Sequence, residues 1–507
     1  MAVLLVALSG IDKYFDAVSS LCLFGNGTAM AQYDMTLSIW VPIIISILHL
    51  IGIVTALHAL YFSRSSQGSI AWILSLALFP ILTLPAYFIF GKTRFGGYRE
   101  KMSAMLTTHQ NLYSRYKALL SPYKAESLLG QKMDTIERIA GSERLTGNQL
   151  ELLINGTHTF ERIFEAIEAA SRYVLVEFFI IKDDEVGTAL QERLIRKAQA
   201  GVPVYLLYDE VGSNKLSSAY VRKLESAGVR VSRFHTRQGI KNFFQVNFRN
   251  HRKIVVVDGV VGFVGGHNVG DEYLGRSAKF SSWRDTHVRI EGPAVLPLQA
   301  TFSADWAWAT GQIPDVEVPT PNRVGPSDVL VLSTGPADIS DRCTLFFLDA
   351  ITRAERRVWI ASPYFVPDES IIKALQLAAT RGVDVRILLP DKADHLLVWL
   401  ASFSYVPEVT EVGVKVYRYT RGFLHQKVLV VDDSLCSVGT ANLDNRSLRL
   451  NFEITAVVFD PLFAEQIATM LEGDFEQSRD VSSVRFEDMP LVKQLGSKGA
   501  RLFSPTL

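Results

Sequence analysis

Two stretches of this chain repeat one spacing of unlike residues, and that repetition limits the folds open to it. In NHRKIVVVDGVVGFVGGHN (250–268), His251 is followed by Lys253, Asp258, Gly265 and Asn268 at intervals of two, seven, fourteen and seventeen residues. In LHQKVLVVDDSLCSVGTAN (424–442), His425, Lys427, Asp432, Gly439 and Asn442 reproduce all four intervals. One His–Lys–Asp pattern is a weak signal; two in register, each with its glycine and asparagine, point to internal duplication. The segments upstream agree. TFERIFEAIEAASRYVLVEFFI (159–180) and TLFFLDAITRAERRVWIASPYFV (344–366) both set apolar residues at helical spacing ahead of a short β-rich run. TALQERLIRKAQAGVPVYLLYD (188–209) and SIIKALQLAATRGVDVRILLPD (370–391) each give a helix, a glycine stop (Gly201, Gly382) and an apolar strand. Such alternation implies parallel strands covered by helices. The expected fold class is α/β: two copies of one α/β sandwich unit, over 146–318 and 319–507, sharing one active site.

Two uncharged runs precede the repeat. TLSIWVPIIISILHLIGIVTALHALYF (36–62) and IAWILSLALFPILTLPAYFIF (70–90) each reach the roughly 20 residues that span a hydrocarbon core as a helix. Neither shows the polar stripe of a soluble core helix. A two-helix transmembrane hairpin is expected over 36–90, with Pro42, Pro80 and Pro85 tolerated where neighbouring helices satisfy the freed carbonyls. Lys92, Arg94, Arg99 and Lys101 follow the second run, against Arg64 alone in the connecting loop. That asymmetry places the N-terminus and the long C-terminal part on the cytoplasmic side. The opening MAVLLVALSG has no basic leader and is not read as a secretory signal, and residues 1–35 receive no assignment. Residues 91–145 read as a polar, helical linker.

The 52 basic and 52 acidic residues balance, which argues against a dedicated nucleic-acid binder. Cys22, Cys343 and Cys436 show no paired spacing, so neither a disulfide framework nor a zinc cluster is expected.

Residues two apart on a strand share a face, so His251 projects with Lys253 and His425 with Lys427. Asp258 and Asp432 have the opposite parity and stand where each valine-rich run ends. Their expected role is to hold the turn or pair with a buried basic group, ahead of direct catalysis. If the next segment folds back beside the first strand, Asn268 and Asn442 reach the histidine face as phosphate-binding donors. Two histidines, two lysines and two asparagines then converge between the halves, donors around an anion beside groups that titrate near neutrality. This suits a phosphodiester. One histidine attacks phosphorus to form a phosphohistidine; the other protonates the leaving alcohol, then deprotonates the incoming one. Lysines and asparagines stabilise the equatorial oxygens, and no metal or other cofactor is expected. Each ring needs an acceptor on its other nitrogen: Glu453 is the candidate for His425 and Asp285 for His251. His267 is expected to pack or support rather than catalyse, and His49, His58, His235 and His395 receive ordinary structural roles.

At these residues the chain resembles the phospholipase D superfamily, defined by paired H-x-K-x4-D motifs, and within it the bacterial cardiolipin synthases. The likeness rests on the two apolar runs, NFRNHRKIVVVDG (247–259), GGHN (265–268), WRDTHVRIEGPAV (283–295), FLHQKVLVVDD (423–433) and NLDNRSLRLNFE (442–453). It extends over everything from residue 36, with small departures at Thr440 and His267. The resemblance implies two catalytic motifs, His251–Lys253–Asp258 and His425–Lys427–Asp432, with His251 the nucleophile and His425 the acid/base. It implies transfer of a phosphatidyl group from phosphatidylglycerol to a second phosphatidylglycerol, releasing glycerol, at a bacterial inner membrane. Exchange of one phosphodiester for another is close to thermoneutral, in keeping with the lack of a nucleotide-binding signature. Transfer prevails over hydrolysis only where the second alcohol outcompetes water, which a membrane-held site favours. HLLVWLASFSY (395–405) and KNFFQVNFR (241–249), the latter with Lys241 and Arg249, are expected either to meet headgroups or to pack in the core. The alternatives are a membrane phospholipase D that hydrolyses phospholipid to phosphatidic acid, and a non-enzymatic membrane scaffold. Two complete His–Lys pairs speak against the scaffold. Nucleic acid is not an expected partner; a homo-oligomer is left open.

Overall fold

The computed structural model describes residues 28–62, 66–91, 95–126, 131–236, 247–277 and 279–507. Cys22, Arg64, Lys92, Arg94 and 241–246 lie outside the described residues, as does most of the unassigned opening. The chain divides into two compact units. One carries the apolar helices up to Phe95; the other runs from Gly96 to Leu507 apart from 239–247.

The first unit contains helices Thr28–Phe62, Ser66–Leu78 and Pro80–Phe90. Small residues let them approach closely: a Cβ on Gly52 would meet the Leu76 carbonyl oxygen at 2.5 Å. Ala56, Ala59, Leu76, Leu84 and Tyr87 form its buried centre. Trp40–Phe62, 23 residues with a mean hydropathy of 2.3, is long and apolar enough to cross a membrane. The second apolar run, expected as one span over 70–90, is instead two shorter helices broken at Phe79. Pro80 has no N–H to continue the ladder, so it opens the second helix at its first turn.

In the second unit the first repeat supplies β1 (Leu145–Ile154), β2 (Val174–Phe178), β3 (Val204–Asp209), β4 (Arg230–Phe234), β5 (Arg249–Asn250), β6 (Ile254–Val257), β7 (Val261–Gly265), β8 (Trp283–Arg284) and β9 (Thr286–Glu291). The second supplies β10 (Ser327–Thr334), β11 (Arg357–Ala361), β12 (Phe365–Val366), β13 (Asp384–Pro390), β14 (Lys415–Tyr419), β15 (Phe423–Leu424), β16 (Val428–Val431), β17 (Leu435–Gly439), β18 (Leu443–Asp444), β19 (Asn451–Phe459) and β20 (Ser478–Asp480). One continuous sheet joins them through the antiparallel pair β1–β10. Outward from that pair the first half reads β1-β9-β7-β6-β2-β3-β4 and the second β10-β19-β17-β16-β11-β13-β14, closed by β20. The two orders correspond strand for strand, as duplication requires.

Along that strand order, parallel pairing falls in the outer three strands of each half. Helices Glu185–Gln199 and Ser218–Ser226 make those crossovers in one half, Glu369–Thr380 and Leu396–Thr410 in the other. Gly201 and Gly382, at φ +83° and +85°, turn the chain out of the first helix of each set. The inner strands are antiparallel, because each motif run returns through a tight turn and not through a helix. Each half buries its own core. Phe423 crosses over: it belongs to the second half and is buried against Phe280 and Trp283 of the first, ring centroids 4.7 and 4.8 Å away.

Candidate active site

Two short parallel ladders bind the halves to each other beside the repeated motifs. β5 pairs with β19 (Arg249↔Asn451, Asn250↔Phe452), and β15 with β8 (Phe423↔Trp283, Leu424↔Arg284). The motif histidines extend both: His251 N donates to Phe452 O at 2.9 Å and His425 N to Arg284 O at 2.8 Å. Continuing each register sets His251 level with Glu453 and His425 level with Asp285. Nδ1 of His251 lies 2.9 and 3.0 Å from the two Glu453 carboxylate oxygens. Nδ1 of His425 lies 2.7 Å from Asp285 Oδ2. The sequence expectation had these partners the other way round. Each ring takes its acceptor from the opposite half, because the ladders that position it run between halves.

An acceptor on Nδ1 places the proton there and leaves Nε2 free. Both rings line one cavity of about 460 Å³, with Asn268, Phe179, Trp283, Tyr364 and Asp394 in its wall. Phe179 packs edge-on to His251 and Trp283 lies beside His425, both at 5.0 Å between centroids. The carboxylates are themselves held. Glu453 accepts from Thr440 Oγ1 (2.5 Å), Ser447 Oγ (2.8 Å) and Asn451 Nδ2 (3.3 Å). Asp285 accepts from Thr286 N at 2.8 Å and Trp283 Nε1 at 3.4 Å. Of these supports, sequence reasoning had singled out only Thr440, and only as a departure.

Burial dominates the electrostatics. It pulls His251 down to about 4, helped by the lysines and opposed by Glu453. Burial and Lys427 hold His425 well below its ordinary value, against the pull of the Asp394 carboxylate. Burial also lowers Lys253 to about 7 and Lys427 to about 8, although nearby carboxylates pull both back up. Glu453 goes the other way: burial favours its acid form, yet His251 and Lys253 keep it below the usual carboxylate range. The site therefore holds neutral imidazoles beside lysines that titrate close to neutrality.

The remaining donors are less symmetric than their spacing. Lys253 Nζ donates to His251 O at 2.7 Å, and Lys427 Nζ to His425 O. Lys427 Nζ also lies 2.9 Å from His425 Nδ1. An ammonium finds no acceptor there while that N–H faces Asp285, so the contact opposes charge on the ring. Asn268 lines the cavity, its Oδ1 accepting from Ile180 N and its Nδ2 donating to Tyr273 Oη, both at 3.1 Å. Asn442, Lys253 and Lys427 are buried without lining it. Asn442 Nδ2 donates to Asp444 Oδ2 at 3.2 Å instead. His395, given only a structural role from sequence, lines the cavity. His267 packs against His287, Nδ1 to Nδ1 at 3.1 Å, with burial pulling both down to about 3.

Asp258 and Asp432 do not line the cavity. Both adopt left-handed backbone, φ 55° and 51°, at the turn after the motif strand. Asp258 accepts from Ser171 N (2.9 Å), Arg172 N (2.8 Å), Tyr173 N (2.9 Å) and Ser171 Oγ (3.0 Å). Asp432 accepts from Glu355 N (3.1 Å), Arg356 N (2.7 Å) and Arg357 N (3.0 Å). Each carboxylate thus gathers the amides that lead into β2 or β11. Asp258→Asn keeps a residue that tolerates this backbone but turns an NH2 toward two donors. It is expected to cost about 1–3 kcal/mol of stability, read as a lowered thermal midpoint. Turnover per folded molecule is expected to stay within about threefold of the parent.

Comparison with known proteins completes the picture. A family model described as "Cardiolipin synthase, PLD-like domain" matches residues 163–306 and 347–477, one segment in each half. A second, "Phospholipase_D-nuclease N-terminal", matches 40–92. Cardiolipin synthase A of Pseudomonas putida is 49% identical over 474 residues, covering 92% of this chain and 97% of the relative. Cardiolipin synthase A of Pseudomonas fluorescens is 46% identical with 92% and 98% coverage. Among solved structures, a phosphatidylserine synthase from Haemophilus influenzae shares the fold, with TM-score 0.59 at 15% identity over 75% of this chain and all of the other. A duplicated sheet with one histidine motif in each half is the architecture of the phospholipase D superfamily. Within that superfamily the chain belongs to the bacterial cardiolipin synthases, membrane-associated phosphatidyltransferases that act on lipid.

Proposed function

We propose that the chain joins two phosphatidylglycerol molecules into cardiolipin and releases glycerol, through a phosphohistidine on His251. The observation that carries this reading is a single cavity entered by two imidazoles, each held at Nδ1 by a carboxylate of the opposite half. His251, neutral down to about pH 4, offers an unprotonated Nε2 to phosphorus. As the P–Nε2 bond forms and the P–O bond to glycerol breaks, His425 gives its proton to the departing oxygen. The second lipid's hydroxyl then returns a proton to His425 as its oxygen attacks phosphorus and the P–N bond breaks. His425 must be charged for the first step. The incoming phosphodiester adds negative charge beside the ring, raising the proton affinity of the ring and of both lysines. Lys253 and Lys427 contribute positive potential from within the wall, and Asn268 an amide at the cavity surface.

The apolar helices anchor the enzyme in a bacterial inner membrane as a multi-pass protein whose catalytic part faces the cytoplasm. Helix Leu396–Thr410 divides between the two roles weighed for it. Ala401 and Tyr405 are buried core, whereas Leu396 and Leu397 are exposed next to His395 at the cavity rim. That exposed end is where we place contact with the lipid surface.

Purified enzyme given phosphatidylglycerol alone is expected to release glycerol and accumulate a four-chain lipid, detected by mass spectrometry. Phosphatidic acid as the main product would instead identify a hydrolase. The lysines also set a pH profile. They serve phosphate binding only when charged and lose their protons as pH rises through about 7 and 8. With both charges required, kcat/KM, which reports the free enzyme, is expected to fall by more than about a hundredfold between pH 7 and 9. The corresponding limb of kcat lies at higher pH, because bound phosphate retains the lysine protons. A flat kcat/KM over that range would contradict the assigned role.

A further inference from the structure

The cavity wall contributed by the second half holds a carboxylate that the transfer chemistry leaves unused. Asp394 lines the cavity next to His425, and its side chain is 18% exposed. Its hydrogen bonds come from neutral donors, Tyr364 Oη to Oδ2 and the His395 amide to Oδ1 at 2.7 Å. The nearest cationic candidate is the ring of His395, 3.9 Å away and itself 71% exposed. Among the described residues no lysine or arginine forms an ion pair with it. The other carboxylates in the wall are committed: Glu272 to Lys182, and Asp271 to the amides of Glu185 and Val186. Asp394 therefore keeps acceptor capacity directed at whatever occupies the cavity beside His425.

The chemistry of that position narrows the occupant. A second phosphate would meet like charge. An alcohol bearing further hydroxyls would donate to the carboxylate while its reacting oxygen faced the histidine. We propose that Asp394, positioned by Tyr364, forms a polyol subsite. It accepts a hydroxyl of the glycerol headgroup, first in the donor lipid's leaving group and then in the acceptor lipid's headgroup. One subsite serves both because both alcohols exchange their proton with the same imidazole. This rests on reading the cavity as the phosphatidyl-transfer site, with His425 on the alcohol side.

The test compares donors that differ only in the leaving alcohol: trace headgroup-labelled phosphatidylglycerol, phosphatidylethanol or phosphatidylethanolamine in mixed micelles of unlabelled phosphatidylglycerol, the common acceptor, with release of the labelled alcohol as readout. Full-length parent enzyme is expected to favour phosphatidylglycerol in kcat/KM. Asp394→Asn should lower the glycerol-to-ethanol ratio about tenfold or more, since ethanol has no second hydroxyl to lose. Tyr364→Phe should lower it less, by about threefold, because the carboxylate remains. The ratio is internal to each preparation, so a poorly folded variant does not mimic the effect. An unchanged ratio would overturn the subsite, and so would an equal loss on both donors, which would assign Asp394 to tuning His425. A parent preference for phosphatidylethanolamine would make it a cation site, which also contradicts the proposal. Consumption of every donor to phosphatidic acid without cardiolipin would refute the transferase reading while the donor ratio still reported on Asp394.

Discussion

His251→Ala is expected to lower cardiolipin formation by at least about four orders of magnitude, and His425→Ala by a comparable amount. On the proposed mechanism the two rings form one unit: without the nucleophile no phosphohistidine would form, and without the acid the glycerol oxygen would have to leave as an unprotonated alkoxide. The double variant should therefore be little worse than either single one. The losses are chemical and not structural. Removing the His251 ring leaves Glu453 with Thr440, Ser447 and Asn451 as donors, so the buried carboxylate stays satisfied. Thermal unfolding of the variant is expected within a few degrees of the parent, while mass-spectrometric assay detects no four-chain product.

The second large effect belongs to the crossed carboxylates. Asp285→Asn should reduce kcat by about 10²–10⁴-fold, the range seen when the orienting carboxylate of a catalytic histidine becomes an amide. Glu453→Gln should fall in the same range. Their signatures separate by ring. With ¹⁵N-labelled histidine, Asp285→Asn should move the ring resonances of His425 and leave those of His251 nearly in place, and Glu453→Gln should do the reverse. Within-half pairing would give the opposite assignment.

That crossing shows how far the sequence carries. Matched spacing exposed the duplication, and the fold repeats it strand for strand. Parity set Asp258 apart from His251, and its carboxylate bonds the loop at 171–173. But Lys253, grouped with His251 by the same argument, precedes the strand and is buried without lining the cavity. Parity cannot state the register between segments 140 or 202 residues apart, and the Phe423↔Trp283 and Arg249↔Asn451 ladders decide which carboxylate meets which ring. Equal spacing likewise left Asn268 and Asn442 looking equivalent. Two residues beyond them the halves differ, Gly270 against Asp444: Asp444 takes the Asn442 amide, whereas the Asn268 amide donates to Tyr273 Oη and lies in the cavity wall. The apolar run at 70–90 was counted by length, whereas the missing N–H of Pro80 sets where the helix breaks. The role of His395 lay in a loop whose path no local periodicity specifies.

A phosphatidyl-enzyme trapped by rapid acid quench with labelled phosphatidylglycerol, then mapped by mass spectrometry, tests the shared site most directly. One labelled group per chain, on His251 alone, is the predicted result. Two groups per chain, one on each motif histidine, would mean that the halves work as separate sites and would contradict the account.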